Sequence, residues 1–473
     1  MQNKLLNPLA LLFGLKNYFS QVISILLLSI WIHFIWITPI FALFLLAYKI
    51  ISYFTYRYSI LDNQLLIKHG IFFKKEIHMP YEKIQNIHRK QWFFLKPFNL
   101  EEVIVDNASH ADSNIDLVAV NENVAQMLEH KRLIANNDIA EDISNKAKDD
   151  NHNKFDAQYN ISNHSMNLFA ATSFRGLFGI FILCEFYQRY SFAISSKYKD
   201  EVFNYLGSKG IIIVIIEFLV LLIIAFIVSY VSIWIQYYRF TLTKKDGYLT
   251  FSRGLLKQET VKIKTNRIQS INFTQNIIRR LFKITTVKIT IISDQKENTN
   301  TKDPAIIPVL NAKKLYPITN QFFDNLPKEE PKIFGKRNYS IWLFIRNSSW
   351  ILLMPLPLLL NGTSWLAMFI FIEVILLGLV IFNGFYRHCH NGVRLIKNDV
   401  LVIENCRLFN RHLHFIDWHR IQSITLRESI WMQKKNLVHL KISERRGDAS
   451  GEIVAKYINL DVARSIYNWY QNQ

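Results

Sequence analysis

Cysteine is scarce in this sequence: only Cys184, Cys389 and Cys406 occur among 473 residues, at irregular spacing. An odd and sparse set of cysteines predicts no disulfide framework and fits a reducing compartment. The chain also lacks a Gly-rich phosphate loop, a nucleophile elbow and a zinc-protease helix. We therefore expect no catalytic residue and no cofactor.

Acidic residues are few relative to basic ones. The chain has 37 Asp and Glu against 56 Lys and Arg, a formal net charge of +19. This surplus predicts a negatively charged partner, either nucleic acid or anionic lipid headgroups. No nucleic-acid-binding motif accompanies the charge, and the apolar residues are concentrated in three long blocks, as in a membrane protein. We therefore expect the partner to be the lipid bilayer and not nucleic acid.

The three apolar blocks are long enough for six transmembrane helices arranged as three hairpins. A span needs about 20 mostly apolar residues. The block at 18–54 is too long for one helix and suits two short ones. The other four candidate spans are residues 169–190, 211–235, 341–360 and 365–385, the last two separated by a polar turn at 361–364.

A short flank recurs where each hairpin ends. Arg57, Arg239 and Arg387 each follow a second helix and a tyrosine. Because basic residues favour the cytoplasmic side, the large domains and both termini are expected there. The loop at 189–209 is an exception, because it carries four basic residues on the opposite side.

A pentapeptide, [Lys/Arg]-Ile-Gln-[Asn/Ser]-Ile, occurs three times, centred on Gln85, Gln269 and Gln422. Such a repeat indicates a structural unit used three times. A glycine, Gly70 or Gly254, precedes the first two copies at the same distance, whereas the third has Arg407 there. The turn of the third copy is therefore expected to differ.

Each copy has the pattern of short strands followed by one helix. The predicted helices cover residues 122–134, 312–326 and 461–470, and each is preceded by an asparagine suited to capping: Asn121, Asn311 and Asn459. The predicted strands are 65–68 and 103–105, then 248–252 and 287–292, then 400–404 and 437–442. Strands closed by one helix predict a small α+β domain.

The Tyr-Arg flank, the strand–Gly–strand turn and the pentapeptide resemble the bacterial pleckstrin-homology (PH)-like domain of the YdbS/YdbT membrane protein family. Three copies, each behind a helix pair, are similar to its longer, YdbT-type members. The resemblance covers nearly the whole chain. It implies an α+β membrane protein with six transmembrane helices in three hairpins, each hairpin followed by a PH-like split β-barrel that is capped by a C-terminal helix.

The predicted organisation has seven segments. The hairpins are expected at 1–55, 164–237 and 331–385, and the PH-like domains at 56–135, 238–330 and 386–473. Residues 136–163 are rich in Asn, Asp and Lys and predict a flexible linker.

Basic and aromatic residues near the pentapeptides are candidates for contact with the membrane surface. Attraction to anionic lipid is about 1 kcal/mol per basic residue, although a solvated face would have the same composition. The basic candidates are Lys262, Lys264, Arg267, Arg279, Arg280, Lys283 and Lys288. The aromatic ones are Trp92, Phe93, Phe94, Phe282 and Trp431, which could equally belong to a core.

Three further groups have two interpretations each. The glutamines Gln85, Gln269 and Gln422 either present amides to a ligand or brace a neighbouring loop, and the second is favoured. The intramembrane residues Glu217, Arg346 and Glu373 form either a polar transport path or structural pairs, such as Arg346 with Glu373. Histidines and cysteines of the third repeat, such as His412 and His414, lack metal-site spacing, so no metal is expected.

The resulting expectation is a non-enzymatic scaffold on the membrane surface, envelope-related, that recruits a membrane or envelope protein. Two helices per domain would raise the local concentration of each weakly binding surface. The sequence leaves open whether copies self-associate. The alternative is a transporter or lipid-handling protein that uses the intramembrane carboxylates.

Overall fold

The computed structural model describes most of the chain. The described residues are 4–31, 36–71, 73–107, 115–135, 155–173, 211–291, 304–334, 339–353, 355–356, 366–396, 399–407, 409–446 and 449–472. The chain divides into two compact units. The first consists of Met1–Phe155, Asn160–Thr241 and Thr250–Ile263, and the second of Asp156–Tyr159, Leu242–Leu249 and Lys264–Gln473.

Three helix pairs precede the three repeats. They are α1 (Ala10–Trp31) with α2 (Ile37–Thr55), α4 (Asn163–Ala171) with α5 (Ile211–Gln236), and α8 (Ser340–Ser348) with α9 (Leu366–Cys389). A 3-10 segment, Ser349–Leu353, continues α8. Side-chain hydrogen bonds join each pair, for example Ser29 Oγ with Thr38 Oγ1 at 2.6 Å and Tyr230 Oη with Asn167 Oδ1 at 2.9 Å.

The second helix of each pair is long and apolar enough to cross a bilayer. The qualifying stretches are Thr38–Thr55, Leu219–Gln236 and Phe369–Cys389. Large apolar side chains point outward from them: Phe44 is 64% exposed, Val228 61% and Phe371 67%. Such surfaces fit contact with lipid. The expected membrane protein is thus supported, but three rather than six described helices qualify, and most of the predicted span at 169–190 lies outside the described residues.

In the first repeat, alternating apolar residues of seven strands and one helix enclose a core that includes Leu65, Met79, Val103 and Leu117, each fully buried. The strands are β1 (Lys4–Leu5), β2 (Arg57–Ile60), β3 (Gln64–His69), β4 (Lys75–Pro80), β5 (Ile84–Trp92), β6 (Leu100–Asn107) and β7 (Ile115–Asn121). They form one sheet of order β1-β2-β3-β4 and the run β7-β6-β5, closed by α3 (Glu122–Ala135).

The second and third repeats have the same order of elements, except that a single bridging residue, Phe334, replaces the leading strand in the third. The second has β8 (Ala157–Asn160), β9 (Thr241–Lys245), β10 (Tyr248–Arg253), β11 (Lys257–Lys264), β12 (Ile268–Asn276), α6 (Ile277–Leu281), β13 (Ile284–Ile291), β14 (Ala305–Asn311) and α7 (Ala312–Phe322). The third has β15 (Gly392–Ile396), β16 (Val400–Arg407), β17 (Asn410–Asp417), β18 (Ile421–Arg427), α10 (Ile430–Gln433), β19 (Leu437–Arg446), β20 (Ala449–Asn459) and α11 (Leu460–Gln471). The predicted mixed α+β class is confirmed.

The predicted asparagine caps are confirmed at all three closing helices. The side chains of Asn121, Asn311 and Asn459 each accept a hydrogen bond from the backbone N–H two residues later, at 3.0, 3.1 and 3.1 Å. Each cap satisfies one of the first unpaired N–H groups of its helix.

The turn that carries glycine in two repeats differs in the third, as expected. Gly70 and Gly254 have φ of +118° and +110°, and a Cβ at either would lie about 2 Å from a backbone oxygen. In the third repeat Arg407 pairs directly with Asn410, and Phe409 between them has φ +64°. A tighter hairpin therefore replaces the glycine turn.

The segment before each helix pair joins the strand that follows the pair. Lys4 pairs with Tyr58, β8 lies beside β9, and Phe334 bridges to Val393. Strand β8 falls inside the linker predicted at 136–163, so regular structure begins earlier than expected. Residues 136–154 of that linker lie outside the described part of the chain.

Candidate functional site

The pentapeptide strand of one repeat pairs with a strand of the next repeat. In the first unit β5 pairs with β11, so that His88 faces Val261 and Trp92 faces Lys257. In the second unit β12 pairs with β17, and Asn272 faces His414. We call these contacts the first joint and the second joint. They make each repeat continuous with its successor through backbone hydrogen bonds.

The two joints share one register. When Gln85 and Gln269 are aligned, His88 corresponds to Asn272. When Gln269 and Gln422 are aligned, Val261 corresponds to His414. Corresponding residues therefore face each other in both joints. Because a one-residue slip would turn every side chain to the other face, this agreement marks a repeated contact.

Opposite charges meet across the first joint. Glu259 lies directly opposite Lys90, which is only 7% exposed, and it pairs with Arg253 at 3.0 Å. Burial alone would raise the pKa of the Glu259 carboxyl, but the charge and hydrogen bond of Arg253, together with the charges of Lys257 and Lys90, outweigh burial and lower it. Lys262 Nζ donates to Glu129 Oε1 on α3 at 2.9 Å.

A buried carboxylate organises the second joint. Glu404, only 2% exposed, accepts hydrogen bonds from Arg411 Nε at 2.6 Å and His390 Nδ1 at 2.9 Å. Arg280 of the second repeat contacts His390 Nε2. Burial raises the pKa of Glu404, yet the His390 hydrogen bond and the charge of Arg411 lower it below its usual value. Burial lowers the pKa of His390, so a neutral ring joins Arg280 to Glu404.

Exposed apolar side chains follow the pentapeptide strand in each repeat. Phe93 is 59% exposed, Leu281 79% and Trp431 76%. We call these segments the tips: residues 93–98, 277–283 and 430–435. Each contains basic residues, such as Lys96, Arg280 and Lys434. An apolar residue with basic neighbours suits a membrane interface.

The first and third tips lie beside the start of the first helix of their own hairpin. Phe13 of α1 contacts Trp92 and Phe94, with ring centroids 5.9 and 5.7 Å apart. In the third repeat, Leu343 of α8 packs in one cluster with Met432. Trp92 and Phe94 therefore pack against α1 and are half-buried, whereas Phe93 remains exposed.

The third repeat contains an open cavity of about 660 Å³ rich in basic side chains. We call it the basic pocket and define it by Arg387, Arg407, His412, His414 and Lys456. Arg387 stacks on Phe344 at 5.0 Å, and its buried Nε has no hydrogen-bond partner among the described residues.

Electrostatics of the basic pocket favour an anion. Burial lowers the pKa of Lys456, and the charges of Arg387 and Arg407 lower it further. Glu452, the one carboxylate among the described lining residues, lies 2.5 Å from Lys441 Nζ. An anion among these cations would relieve their mutual repulsion. Sequence reasoning missed this pocket because Arg387, Arg407 and Lys456 are far apart along the chain.

The seven basic candidates do not all point to solvent. Lys262 pairs with Glu129, Arg279 Nη1 donates to Thr286 Oγ1 at 2.8 Å, and Arg280 contacts His390. Lys264 lies over the Tyr248 ring at 5.9 Å. The remaining three are Arg267 in a 3-10 turn, exposed Lys283 in the second tip, and half-buried Lys288 on β13.

The glutamines of the pentapeptide have different surroundings. Gln269 is 4% exposed, and its Nε2 donates to the carbonyl of Arg267 at 3.2 Å, which fits bracing of the preceding turn. Gln422 is exposed. Gln85 lies on β5, and its side chain is outside the described part.

The intramembrane candidates are not brought together. Arg346 is exposed on α8, and no ion pair joins it to Glu373 among the described residues. Glu373 Oε2 on α9 is buried without a hydrogen-bond partner in the described part. Glu217 lies on α5 with its side chain outside the described residues. The pairing of Arg346 with Glu373 is therefore not observed, and the transport hypothesis gains no support.

Comparison with known proteins agrees with the repeat. The model of a family described as bacterial PH domain matches three stretches, residues 10–133, 203–321 and 352–473. The chain is similar to the UPF0699 transmembrane protein YdbT of Bacillus subtilis (strain 168), at 22% identity over 437 residues, which cover 90% of this chain and 87% of that protein. No solved structure matches.

Proposed function

The chain belongs to the bacterial PH domain family, and from this premise we propose that it is a scaffold on the cytoplasmic face of the bacterial inner membrane. Three hairpins, six spans in all, would hold its PH-like split barrels against the bilayer. The joined strands of each unit would then offer a docking surface to a membrane or envelope protein. No catalytic step is part of this proposal.

The arrangement of tips, helices and the basic pocket carries the proposal. The first and third tips lie where helices α1 and α8 begin, and in the proposed arrangement this level would be the interface. Exposed Phe93 and Trp431 would insert there, because aromatic side chains favour the interface. Lys96 and Lys434 would contact the headgroups.

The basic pocket adds a site for one headgroup phosphate. Arg387 occupies the last turn of α9, the third apolar helix. A pocket that begins at the end of a span would open at headgroup level. Arginine suits a phosphate because its planar group can donate two parallel hydrogen bonds. The pocket is therefore proposed to select anionic over zwitterionic lipid.

Native mass spectrometry of the full chain in detergent tests this proposal. We expect phosphatidylglycerol to be retained more strongly than phosphatidylcholine. Lys456→Gln should reduce the retention of phosphatidylglycerol about fivefold, since one basic contact is worth about 1 kcal/mol. Equal retention of both lipids by the unmodified chain would overturn the proposed selectivity.

Lys328→Gln is the matched control. Lys328 is exposed and lies outside the basic pocket, so its loss removes the same charge without changing the site. We expect unchanged retention. If both variants lose the same amount, overall charge rather than the basic pocket determines binding, and the site assignment fails.

A further inference from the structure

The sheet edges at the two ends of the repeat array correspond to the strands that form the joints. In the joints, β5 and β12 pair with β11 and β17. The strand that corresponds to β5 and β12 in the third repeat is β18, which is the outer strand of the sheet β18-β19-β20. The strand that corresponds to β11 and β17 in the first repeat is β4, the outer strand of β1-β2-β3-β4. Each end therefore carries one half of a joint.

Burial distinguishes these ends from the joints. Three residues after the pentapeptide glutamine, His88 is 3% exposed and Asn272 is 8% exposed, whereas the corresponding Thr425 is exposed. On the other side, Val261 is 2% exposed and the corresponding Ile77 is only half-buried. The differences are those expected where a neighbouring strand is absent. An outer strand with unpaired backbone groups is a template for another strand.

We propose that β18 of one copy of this chain pairs with β4 of a second copy, in the register of the two joints. Within the chain the same two kinds of strand already meet twice, so a second copy is the occupant that the repeat itself specifies. This inference does not depend on lipid binding by the basic pocket.

The shared register predicts which residues face each other. Thr425 faces Ile77, in the place of His88 facing Val261. Arg427 then faces Lys75, and Glu428 faces Lys74. The second pair is complementary, while the first opposes two positive charges, which weakens a cross-strand contact. The two joints within the chain form more readily than a contact between copies, because tethering raises the effective concentration of their strands.

Head-to-tail pairing leaves β4 free on the first copy and β18 free on the second. Such a contact is heterologous, so it closes into a ring or continues as a row. Because every repeat has its own helix pair, copies in one bilayer are held at the same level. Pairing between copies would thus continue along the membrane surface without a new type of contact.

Cysteine crosslinking in native membranes tests the contact with the full chain. In a background with Cys184, Cys389 and Cys406 replaced by alanine, differently tagged chains carry either Lys75→Cys or Arg427→Cys. We expect a crosslinked species that contains both tags after treatment with a short bis-thiol reagent. The matched control pairs Glu76→Cys with Arg427→Cys, which places the thiols on opposite faces and should give much less product.

Three results would overturn the proposal. One is the absence of a doubly tagged product, and another is an equal yield from the control pair. The third is crosslinking only between two Arg427→Cys chains, which would indicate a symmetric contact.

Two neighbouring charge reversals provide a second test with opposite signs. Lys75→Glu would turn the repulsion with Arg427 into attraction. It should increase the association constant of the dimer about fivefold, and with it the dimeric fraction. Lys74→Glu would place two carboxylates together at Glu428 and should decrease it by a similar factor. Mass photometry of the full chain in nanodiscs large enough for two copies measures both. A change in the same direction in both variants contradicts the register.

Discussion

The two joints use the same backbone register with different side chains. At the first joint, a partly exposed ion pair between Lys262 and Glu129 links the repeats. At the second, a buried carboxylate, Glu404, collects Arg411 and His390. The second joint also has seven register pairs against five. The backbone register of the joint is therefore a property of the repeat, whereas the charged side chains around it differ between the two joints.

Removing the buried carboxylate should have the largest effect. Glu404→Ala leaves Arg411 and His390 without their shared acceptor, and loss of one partner of a buried pair costs about 3–5 kcal/mol. We expect a lower unfolding temperature in detergent and faster proteolysis. Glu330→Ala is the control, because Glu330 contacts the same Arg411 but is 58% exposed; its cost should stay below about 1 kcal/mol. Equal effects would mean that burial does not distinguish the two contacts.

The glycine turn before β11 should be the next most sensitive feature, and it concerns the first joint alone. Gly254→Ala places a Cβ about 2 Å from the Lys257 carbonyl oxygen at φ +110°, a strain of about 1–3 kcal/mol. We expect hydrogen exchange to rise in β5 and β11 more than in β12 and β17. Gly378→Ala, where a Cβ would meet nothing within 4 Å, should leave both joints unchanged.

The surface ion pair of the first joint should contribute less. Lys262→Glu puts two carboxylates at the 2.9 Å contact with Glu129 and should lower the unfolding free energy by about 1 kcal/mol. The double variant with Glu129→Lys restores opposite charges and should recover most of the loss. Failure of this rescue would show that Lys262 acts through something other than the pair.

Lowering the pH should weaken the second joint before the first. This is the smallest of the expected effects. The pKa of His390 in the folded state lies below its ordinary value near 6.5, so the unfolded chain takes up the proton first as the pH falls. The stability contributed by neutral His390 is complete above pH 6.5 and is lost as the pH falls below it. The pKa of Glu259 at the first joint is lowered from 4.5, so its contribution is lost only at more acidic pH.

Hydrogen exchange between pH 7.5 and 5.5 measures this difference, after correction for intrinsic exchange rates. Protection should fall in β12 and β17 while β5 and β11 keep theirs. His390→Asn retains a donor toward Glu404 without titrating and should remove the pH dependence. If protection at both joints falls equally, His390 does not set the acid response.

Local sequence signals predicted the repeat well, because they are set by neighbouring residues. Asn311 caps its helix through the N–H two residues later, and the glycine turn needs only a few residues of backbone. The joints could not be predicted, since alternation identifies a strand but not its partner. Lys262 illustrates the consequence: its charge suggested a lipid contact, whereas its partner, Glu129, is supplied by another repeat.

The tips and the helix pairs show the same division between local and distant information. The sequence predicted one role for Trp92, Phe93 and Phe94, but packing against Phe13 separates half-buried Trp92 and Phe94 from exposed Phe93. Hydropathy indicated α2, α5 and α9 correctly as apolar helices. The partner of α9, α8, is shorter and more polar, and its position depends on contacts that hydropathy does not contain.

The pairing at the base of each hairpin has a consequence for how such a chain can lengthen. Backbone pairing joins the two ends of every helix pair in one sheet. The pairs are Lys4 with Tyr58, β8 with β9, and Phe334 with Val393. In the proposed membrane arrangement, a chain held in this way would come back to the side of the bilayer from which it departed, so each helix pair would cross an even number of times. Duplicating or deleting one helix pair together with its repeat would then preserve the orientation of every other repeat. The number of repeats would be free to change in evolution.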